Sequence, residues 1–427
     1  MLSTMSDADL DALAQKTEAE FADFRARGLK LDMTRGKPAP EQLDLSSEML
    51  ALPANRDFTT RDGEDARNYG GLQGLPEVRE LFSEMVGAPA SQIVVGENAS
   101  LAMMHDCLVW AMLRGFSASP RPWSQEPQVS FLCPVPGYDR HFAICEEYGV
   151  RMIPVPLTGH GPDMDEVERL VADPSVKGMW CVPKYSNPSG DIYSEETIAR
   201  LAAMKTGAPD FRLFWDNAYA VHHLTERRHE IADILQACAS AGNPDRALIF
   251  ASTSKVTLAG AGLALFGSSR ANVAWYLDRA KRRTIGPDKL NQLRHVRFLR
   301  DAEGIARLMD GHRQLIAPKF AAVDEALTKY LDGLGIARWT QPAGGYFVSV
   351  DARPGTAKAV VALAREAGLA LTPAGSTWPL GEDPDDSNLR IAPTYPSLED
   401  VRVASTGIAI CLLLAAIRDE RTARAAA

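Results

Sequence analysis

The chain has 427 residues, a formal net charge of −9, and 46% apolar residues. This length and apolar content provide for a large core, in one large enzyme unit or in roughly two to three domains. The acidic balance argues against nucleic acid and against an anionic membrane surface as partners. A small anion-binding site remains compatible with it.

The cysteines and the first residues of the sequence indicate the cellular compartment. The six cysteines form no CxxC pair, and most lie in apolar runs. This predicts reduced core thiols, a cytoplasmic protein and no metal site. Residues 6–27 predict an amphipathic helix capped by Ser6, rather than a signal peptide. The longest apolar run, Ile408–Ile417, is too short to span a bilayer and predicts a buried terminal helix.

Strand and helix patterns alternate in the middle of the chain and predict a mainly parallel sheet covered on both faces. The candidate strands are Gln92–Val95, Val129–Cys133, Arg151–Val155, Gly178–Val182, Arg212–Trp215, Ala247–Phe250 and Leu263–Phe266. The last two are too close for a crossover helix, so we predict that they pair antiparallel. Further strands at Gly344–Val350, Leu369–Thr372 and Leu389–Ala392 indicate a small α/β unit after residue 300.

Ligands of open α/β sheets bind outside the carboxyl ends of the strands, so the residues directly after them are candidates for a site. Ser252, Thr253, Ser254 and Lys255 follow one of these strands. A desolvated lysine favours the neutral amine that attacks a carbonyl, and hydroxyls bind phosphate. We therefore hypothesise a Schiff base between Lys255 and pyridoxal phosphate. Taken alone, the segment fits a surface loop lysine equally well.

Asp216 follows a strand of Phe and Trp, where an ionised carboxylate needs a partner. A protonated pyridine nitrogen would serve, and the alternatives are a helix N-cap or an ordinary ion pair. Tyr219, three residues on, could point to the same site. Asn187, after another strand, is either an Asx-turn residue or an amide donor to a ligand.

Further candidates bind anions or flat rings. Ser100 and the backbone N–H groups of Ala99–Leu101 open a helix that can cradle a phosphate, although Ser100 also fits an ordinary N-cap. Tyr138 follows a rigid turn and could stack on a ring, although ordinary packing explains a lone tyrosine as well. Tyr69 begins a glycine-rich loop before the helix that Pro76 opens.

Arg390 lies inside an apolar strand pattern, where a guanidinium needs a bidentate anion. That anion is either a substrate carboxylate or a buried Asp or Glu. Arg35 and Lys37 lie in a turn that is either a solvated basic loop or an anion clamp.

In this order the motifs resemble the class I aminotransferases that depend on pyridoxal phosphate, of fold type I. The anchors are Asn187-Pro-x-Gly190, Asp216-x-x-Tyr219 and Ser252-x-Ser-Lys255. Thr34–Pro38 and Ile285–Gln292 are similar to segments of a bacterial aspartate aminotransferase subgroup. The resemblance implies a large domain (56–300) with a mainly parallel seven-stranded sheet, and a smaller α/β domain built from both chain ends. Residues 1–55 would form an N-terminal arm and part of that small domain, and residues 301–427 the rest of it.

The resemblance also implies roles. Lys255 would hold the cofactor and move the substrate Cα proton, Asp216 would keep the pyridine nitrogen protonated, and Tyr138 would stack on the ring. Asn187 and Tyr219 would contact the phenolic oxygen. The phosphate would be held by Ala99, Ser100, Leu101, Ser252, Ser254 and, from the neighbouring subunit of a homodimer, Tyr69. The substrate carboxylate would meet Arg390 and Gly36.

One position departs from the family. Many members have a phosphate-binding arginine seven or eight residues after the lysine, where this chain has Gly262 and Leu263. Arg283 and Lys289 are candidates to compensate. A dicarboxylate substrate, aspartate or glutamate, needs a second cation, for which we consider Arg35, Lys37 and Lys184. The alternatives are an aminotransferase for aromatic or aminoadipate-type amino acids, a lyase with the same cofactor, or a cofactor-binding sensor without turnover.

Overall fold

The computed structural model describes residues 2–96 and 98–426. Its strands are β1 (Leu31–Asp32), β2 (Ile93–Val95), β3 (Ser130–Val135), β4 (Arg151–Pro156), β5 (Val176–Cys181), β6 (Arg212–Asp216), β7 (Ala247–Ser252), β8 (Ala264–Ser268), β9 (Ala337–Trp339), β10 (Val348–Ala352), β11 (Leu369–Ala370) and β12 (Asn388–Ile391).

The helices along the same residues are α1 (Asp7–Ala26), α2 (Pro40–Asp44), α3 (Pro76–Leu81), α4 (Ser83–Val86), α5 (Ser100–Arg114), α6 (Asp139–Glu147), α7 (Met164–Leu170), α8 (Glu195–Ala203), α9 (Ile234–Ser240), α10 (Arg270–Ala280), α11 (Lys289–Leu299), α12 (Ala302–Leu331), α13 (Ala357–Glu366) and α14 (Leu398–Ala426). Ser6 caps α1 as predicted, with its hydroxyl accepting a hydrogen bond from Asp9 N.

Seven strands form the main sheet, in the order β2-β8-β7-β6-β5-β3-β4. The neighbours from β7 through β4 are parallel, and β8 is antiparallel to both β7 and β2. The predicted seven-stranded, mainly parallel sheet and its antiparallel pair are therefore confirmed. Since β2 and β7 flank β8 in the same direction, the carboxyl ends of five sheet strands and of β2 share one edge.

Each face of this sheet packs in its own core. Along β6, Leu213 and Trp215 lie in one core with Ile249, whereas Phe214 lies in the other. This alternation follows from the two-residue period of a strand and explains why the central strands are apolar throughout. Asp216, the last residue of β6, continues the Phe214 face.

Two smaller sheets complete the fold. Antiparallel β9, β10 and β12 form one of them, and β1 pairs parallel with β11 in the other. The β1–β11 pair places Leu31 opposite Leu369, which joins an early segment to the C-terminal third. The division at residues 55 and 300 stays a prediction.

One predicted strand begins too early. We expected a strand over Gly344–Val350, but β10 starts only at Val348. Gly344 lies against the ring of Tyr185, where a Cβ would come within 2.3 Å, and Gly345 has a φ of +87°. Gly344 forms an isolated antiparallel bridge with His223, and the Gly345 N–H donates to His222 O. The chain therefore bends here and meets the 222–223 segment through a single bridge before β10 begins, which apolar patterning does not reveal.

Helix α14 contains the longest apolar run and is the one helix of the described residues long and apolar enough to cross a membrane, by length and composition. Within its most apolar window, 78% of the residues are buried inside the protein. It packs against α1, α12 and α13. The prediction that Ile408–Ile417 belongs to a buried helix is confirmed.

Gly407→Ala in α14 should destabilise the protein although alanine is the better helix former. A Cβ at residue 407 would lie 2.4 Å from Phe24 Cζ and 2.7 Å from Leu369 Cδ1. Overpacking costs about 1–3 kcal/mol, which outweighs the gain of about 1 kcal/mol in helix propensity. We expect the free energy of unfolding, measured by denaturant titration, to fall by about 1 kcal/mol or more.

Gly311→Ala in α12 is the matched control. There a Cβ would lie 3.2 Å from Cδ1 of Leu45, a side chain exposed enough to move. This variant should be unchanged or stabilised by up to about 1 kcal/mol. Equal stability of the two variants would contradict the packing argument.

Candidate active site

Asp216 ends β6 and is 3% exposed. Its Oδ2 lies 3.0 Å from Nε2 of His141, and its Oδ1 is buried without a hydrogen-bond partner among the described residues. A buried carboxylate oxygen without a donor costs free energy. The protonated ring nitrogen of pyridoxal phosphate would supply that donor, so Asp216 fits the predicted cofactor.

His141 holds Asp216 in place, and sequence reasoning missed it. The His141 ring stacks on Trp180 with centroids 4.3 Å apart and an angle of 8° between the planes. His141 is three residues after Tyr138 and lies in the first turn of α6. Helical spacing from Tyr138 was the signal that could have identified it.

Lys255 lies beyond the end of β7 and is half-buried. Its Nζ is 5.0 Å from the centre of the Tyr219 ring. Desolvation lowers the pKa of Lys255, and the negative charge of Asp216 partly opposes that shift. The lowered pKa increases the fraction of neutral amine, the form that attacks carbonyl carbon.

Two buried side chains support this lysine. His222 approaches the backbone of Lys255, with 3.2 Å between Nε2 and the carbonyl oxygen. Tyr346 lies on the same side, with its ring centre 6.0 Å from Lys255 Nζ. Sequence reasoning missed both, although His222 is three residues after Tyr219.

Tyr138 and Tyr219 border the same edge. Tyr138 is half-buried and meets the His141 ring edge-on, with centroids 5.0 Å apart. Burial, helped by the charge of Asp216, raises the pKa of Tyr138 to about 12. Burial also raises the pKa of Tyr219 well above its ordinary value. Both phenols therefore stay protonated near neutral pH.

The predicted phosphate residues meet across a gap between β7 and α5. Ser100 is the first residue of α5, with Ala99 as N-cap and Leu101 next. Ser254 Oγ donates to Asn98 O at 3.0 Å, which ties the lysine turn to the start of that helix. Ser252 ends β7 and is 8% exposed. Free N–H groups at the start of a 15-residue helix and nearby hydroxyls suit a phosphate.

Gly262 stands where the family often has its phosphate arginine. A Cβ there would lie 3.2 Å from both Ser254 N and Thr253 Oγ1, so a side chain would crowd the lysine turn. The cations we expected to compensate already have carboxylate partners: Arg283 Nε donates to Asp106 at 2.7 Å, and Lys289 bonds Glu64. Neither is free to neutralise a phosphate without giving up that partner.

Arg390 on β12 reaches the main-sheet edge from the small sheet. Its Nη1 donates to Asp139 at 2.9 Å and lies 3.5 Å from Asn187 Oδ1. Its Nε is buried without a partner among the described residues, and its guanidinium lies over the Phe347 ring at 5.1 Å. Both interpretations of Arg390 are therefore supported. It forms an ion pair with Asp139, and its Nε remains as a donor for a substrate carboxylate.

The loop with Arg35, Gly36 and Lys37 packs beside this arginine. A Cβ on Gly36 would lie 2.2 Å from Phe347 Cζ, so only glycine allows this approach. Lys37 places its ammonium 3.9 Å above the Tyr395 ring. Arg35 is exposed, and no hydrogen bond or ion pair of its side chain occurs among the described residues.

Two predicted residues lie elsewhere. Tyr69 is 78% exposed, and among the described residues no hydrogen bond or ring contact joins its side chain to the site. Lys184, one of three candidates for the distal carboxylate, donates to Ala220 O at 2.7 Å and lines a cavity with Trp215. Since Trp215 and Asp216 alternate along β6, Lys184 is on the wrong face for the substrate. Lys184 is therefore not part of the substrate site that we propose.

The chain matches a protein-family model described as aspartate amino-transferase over residues 5–424. A relative in Mycolicibacterium smegmatis that bears an aminotransferase name is 57% identical over 96% of each chain. Another, named aspartate aminotransferase, in Corynebacterium glutamicum, is 50% identical over 97% of this chain and 98% of its own.

The fold also matches a solved structure of an aspartate transaminase from Corynebacterium glutamicum. The TM-score is 0.96 at 49% identity, covering 98% of this chain and 99% of that one. The predicted fold class and the prediction of an aminotransferase are confirmed. The sheet edge that carries Asp216 and Lys255 is therefore the candidate active site of a chain that belongs to the aspartate aminotransferase family.

Proposed function

We propose that the protein transfers the amino group of aspartate or glutamate to a 2-oxo acid, with pyridoxal 5′-phosphate bound at the sheet edge. The observation that carries the proposal is the pairing of Lys255, with its lowered pKa, and the buried Asp216, whose Oδ1 has no partner among the described residues. The names of the Corynebacterium relative and structure support the choice of substrate.

Each residue of the site would have its own role in binding the cofactor or in moving the proton. Asp216, held by His141, would bind the ring nitrogen, and Tyr138 would lie against the ring. Asn187 and Tyr219 would bond the phenolic oxygen. Bound pyridoxal phosphate would supply the electron sink for negative charge at the substrate Cα. Lys255 Nζ would hold the cofactor and then take and return the Cα proton.

For the phosphate we propose a cup without an arginine. The N–H groups of Ala99, Ser100 and Leu101 would contact its oxygens, together with the Ser252 and Ser254 hydroxyls. These donors carry no full charge, so a further contact from outside the chain would strengthen the cup. We assign that contact to Tyr69 of the partner subunit.

A homodimer accounts for the exposure of Tyr69. Its loop packs on the loop of Ile285, where a Cβ on Gly286 would lie 2.3 Å from Gly70 O. Tyr69 is 78% and Ile285 is 68% exposed, which is unusual for side chains of this size. A second copy covering both would bury apolar surface and bring Tyr69 to its phosphate site. The six buried, free cysteines further support a cytoplasmic location.

For the substrate we propose that Arg390 binds the α-carboxylate with the Gly36 backbone and the Asn187 amide nearby. Arg35 and Lys37 are the candidates for the distal carboxylate. We place Arg35 first because Lys37 already contacts Tyr395, whereas the exposed Arg35 guanidinium has no partner among the described residues and suits bidentate binding.

Purified protein with pyridoxal phosphate should show a visible absorption band, and Lys255→Ala should abolish it because the covalent bond is lost. The band should shift on adding aspartate or glutamate, and 2-oxoglutarate should allow turnover. The matched control is Lys329→Ala, an exposed lysine of α12, which should behave as the wild type.

Other outcomes identify the alternatives. A band that shifts with aromatic or aliphatic amino acids but not with aspartate or glutamate would reject the dicarboxylate class. A band without turnover for any amino acid would indicate a cofactor-binding sensor.

Arg35→Gln should lower kcat/KM for aspartate and glutamate by about tenfold or more, since a charge-assisted hydrogen bond is lost. The same change should leave kcat/KM for amino acids without a distal carboxylate within about threefold. Lys37→Gln, the paired variant, should have the smaller effect on dicarboxylates. A larger loss in Lys37→Gln would reverse our ranking, and equal losses for all amino acids would reject both residues as specificity determinants.

Subunit complementation tests the shared site. Tyr69→Asp should inactivate by placing a negative charge at the phosphate, and Lys255→Ala inactivates directly. Mixing the two variants under conditions of subunit exchange should restore about a quarter of wild-type activity, because half the dimers are hybrids with one intact site. Mixing Tyr69→Asp with a Tyr69→Asp/Lys255→Ala double variant should restore none. Failure of the first mixture would place Tyr69 in its own subunit's site or outside both.

A further inference from the structure

The turn that carries Lys255 is held by hydrogen bonds of its first residue, Thr253. Thr253 O accepts from Thr257 N at 2.9 Å, so Lys255 lies at the middle of a single helical turn. Thr253 also closes the longer loop up to Leu263. Its N–H donates to Leu263 O, and its Oγ1 accepts from Leu263 N, each at 2.8 Å. The position of Thr253 therefore fixes both the lysine turn and the end of the loop.

His295 of α11 lies against two hydroxyls of this turn. Its Nε2 is 2.9 Å from Thr257 Oγ1 and 3.2 Å from Thr253 Oγ1, and all three residues are fully buried. Its Nδ1 is 2.8 Å from the carbonyl oxygen of Asn291. A carbonyl only accepts, so Nδ1 carries the proton and Nε2 is left as an acceptor for the hydroxyls. Burial lowers the pKa of His295 to about 4, which keeps the ring uncharged near pH 7.

Asn291, one helical turn earlier on α11, holds the other end of the loop. Its Nδ2 donates to Ala261 O at 3.0 Å and to Gly262 O at 3.1 Å. Its Oδ1 accepts from Arg294 Nη1 at 3.3 Å, which fixes the orientation of the amide. One face of α11 thus bonds both ends of the loop that carries the lysine.

The position of Lys255 Nζ depends on the backbone of this turn. Among the described residues the Lys255 side chain forms no hydrogen bond or ion pair, and Nζ lies 5.0 Å from the centre of the Tyr219 ring. Such a side chain takes its place from the turn that bears it. A misplacement of about 1 Å at a reacting group can cost roughly a hundredfold in rate. Contacts that fix the turn therefore bear on the chemistry of the lysine.

We propose that His295, with Asn291 beside it, is a positioning residue that holds the turn of Lys255 and so places Nζ for reaction. We call this pair the α11 clamp. This role rests on the proposed function, because it takes Lys255 as the residue that holds the cofactor and moves the proton. His295 acts through the hydroxyls of Thr253 and Thr257.

Hydrogen exchange of the purified full-length protein, with and without pyridoxal phosphate, tests the clamp independently of activity. His295→Leu removes the acceptor of two buried hydroxyls, so the amides of residues 253–263 should exchange about tenfold faster or more. His295→Gln can place an amide oxygen near the former Nε2 and should keep exchange within about threefold of the wild type. His105→Leu is the matched control, because His105 bonds Tyr148 on another helix, and should leave residues 253–263 unchanged.

Steady-state kinetics of the same variants, loaded with pyridoxal phosphate, separate positioning from substrate binding. His295→Leu should lower kcat and kcat/KM for aspartate together, by about tenfold or more, because the lysine is misplaced while Arg390 still binds the substrate. His295→Gln should retain activity within about threefold of the wild type, and His105→Leu should match the wild type.

Thr257→Val is the second variant, in case His295→Leu does not fold. Valine has nearly the shape of threonine and removes only the hydroxyl that lies 2.9 Å from His295 Nε2. We expect kcat to fall by about threefold or more, with faster exchange at residues 253–263.

Unchanged exchange at residues 253–263, equal effects of His295→Leu and His295→Gln, or a raised KM at unchanged kcat would each overturn the proposal. A wild type without a visible absorption band would reject the proposed function and, with it, the part of the clamp in the reaction. A wild type with the band, whose His295→Leu and Thr257→Val variants show unaltered exchange, would reject the clamp alone.

Discussion

The burial of one carboxylate, that of Asp216, is the constraint on which this site depends. Taking a charge out of water is expensive, and one hydrogen bond from His141 satisfies only one of its two oxygens. The second oxygen belongs to the last residue of β6, at the sheet edge where Lys255, Tyr138 and Asn187 also lie. The fold thus keeps one oxygen of Asp216 without a hydrogen-bond donor among the described residues, at the place where a protonated pyridine ring would supply one.

Much of this arrangement could be predicted from the sequence because it is local. A strand ending in Phe-Trp-Asp, or a Ser-Thr-Ser-Lys turn after a buried strand, carries its meaning within a few residues. The shared edge then follows from the parallel order of the strands. The bend at Gly344–Gly345 escaped prediction, since its contacts are with Tyr185 and with the 222–223 segment, far away in the chain.

What the sequence could not reveal are the pairings across long separations. His141 and Asp216 are 75 residues apart, and Arg390 and Asp139 are 251 apart. No pattern in either segment selects the other. The location of Lys184 was hidden in the same way. Its place in the sequence, close to Asn187, suggests the active site, whereas in the structure it lies on the Trp215 face of the sheet.

The His141 stack has a consequence for how the protein tolerates change. Trp180, on which His141 lies, donates from Nε1 to Cys145 Sγ at 3.2 Å, and Cys145 is one turn after His141 on α6. A closed loop of core contacts therefore fixes the acid from behind. Through Trp180, the size and the sulfur of Cys145 therefore help to set the position of the His141 ring. The apolar core on this face thus takes part in positioning the hydrogen bond between His141 and Asp216. Repacking this core would change that hydrogen bond as well as the stability of the protein.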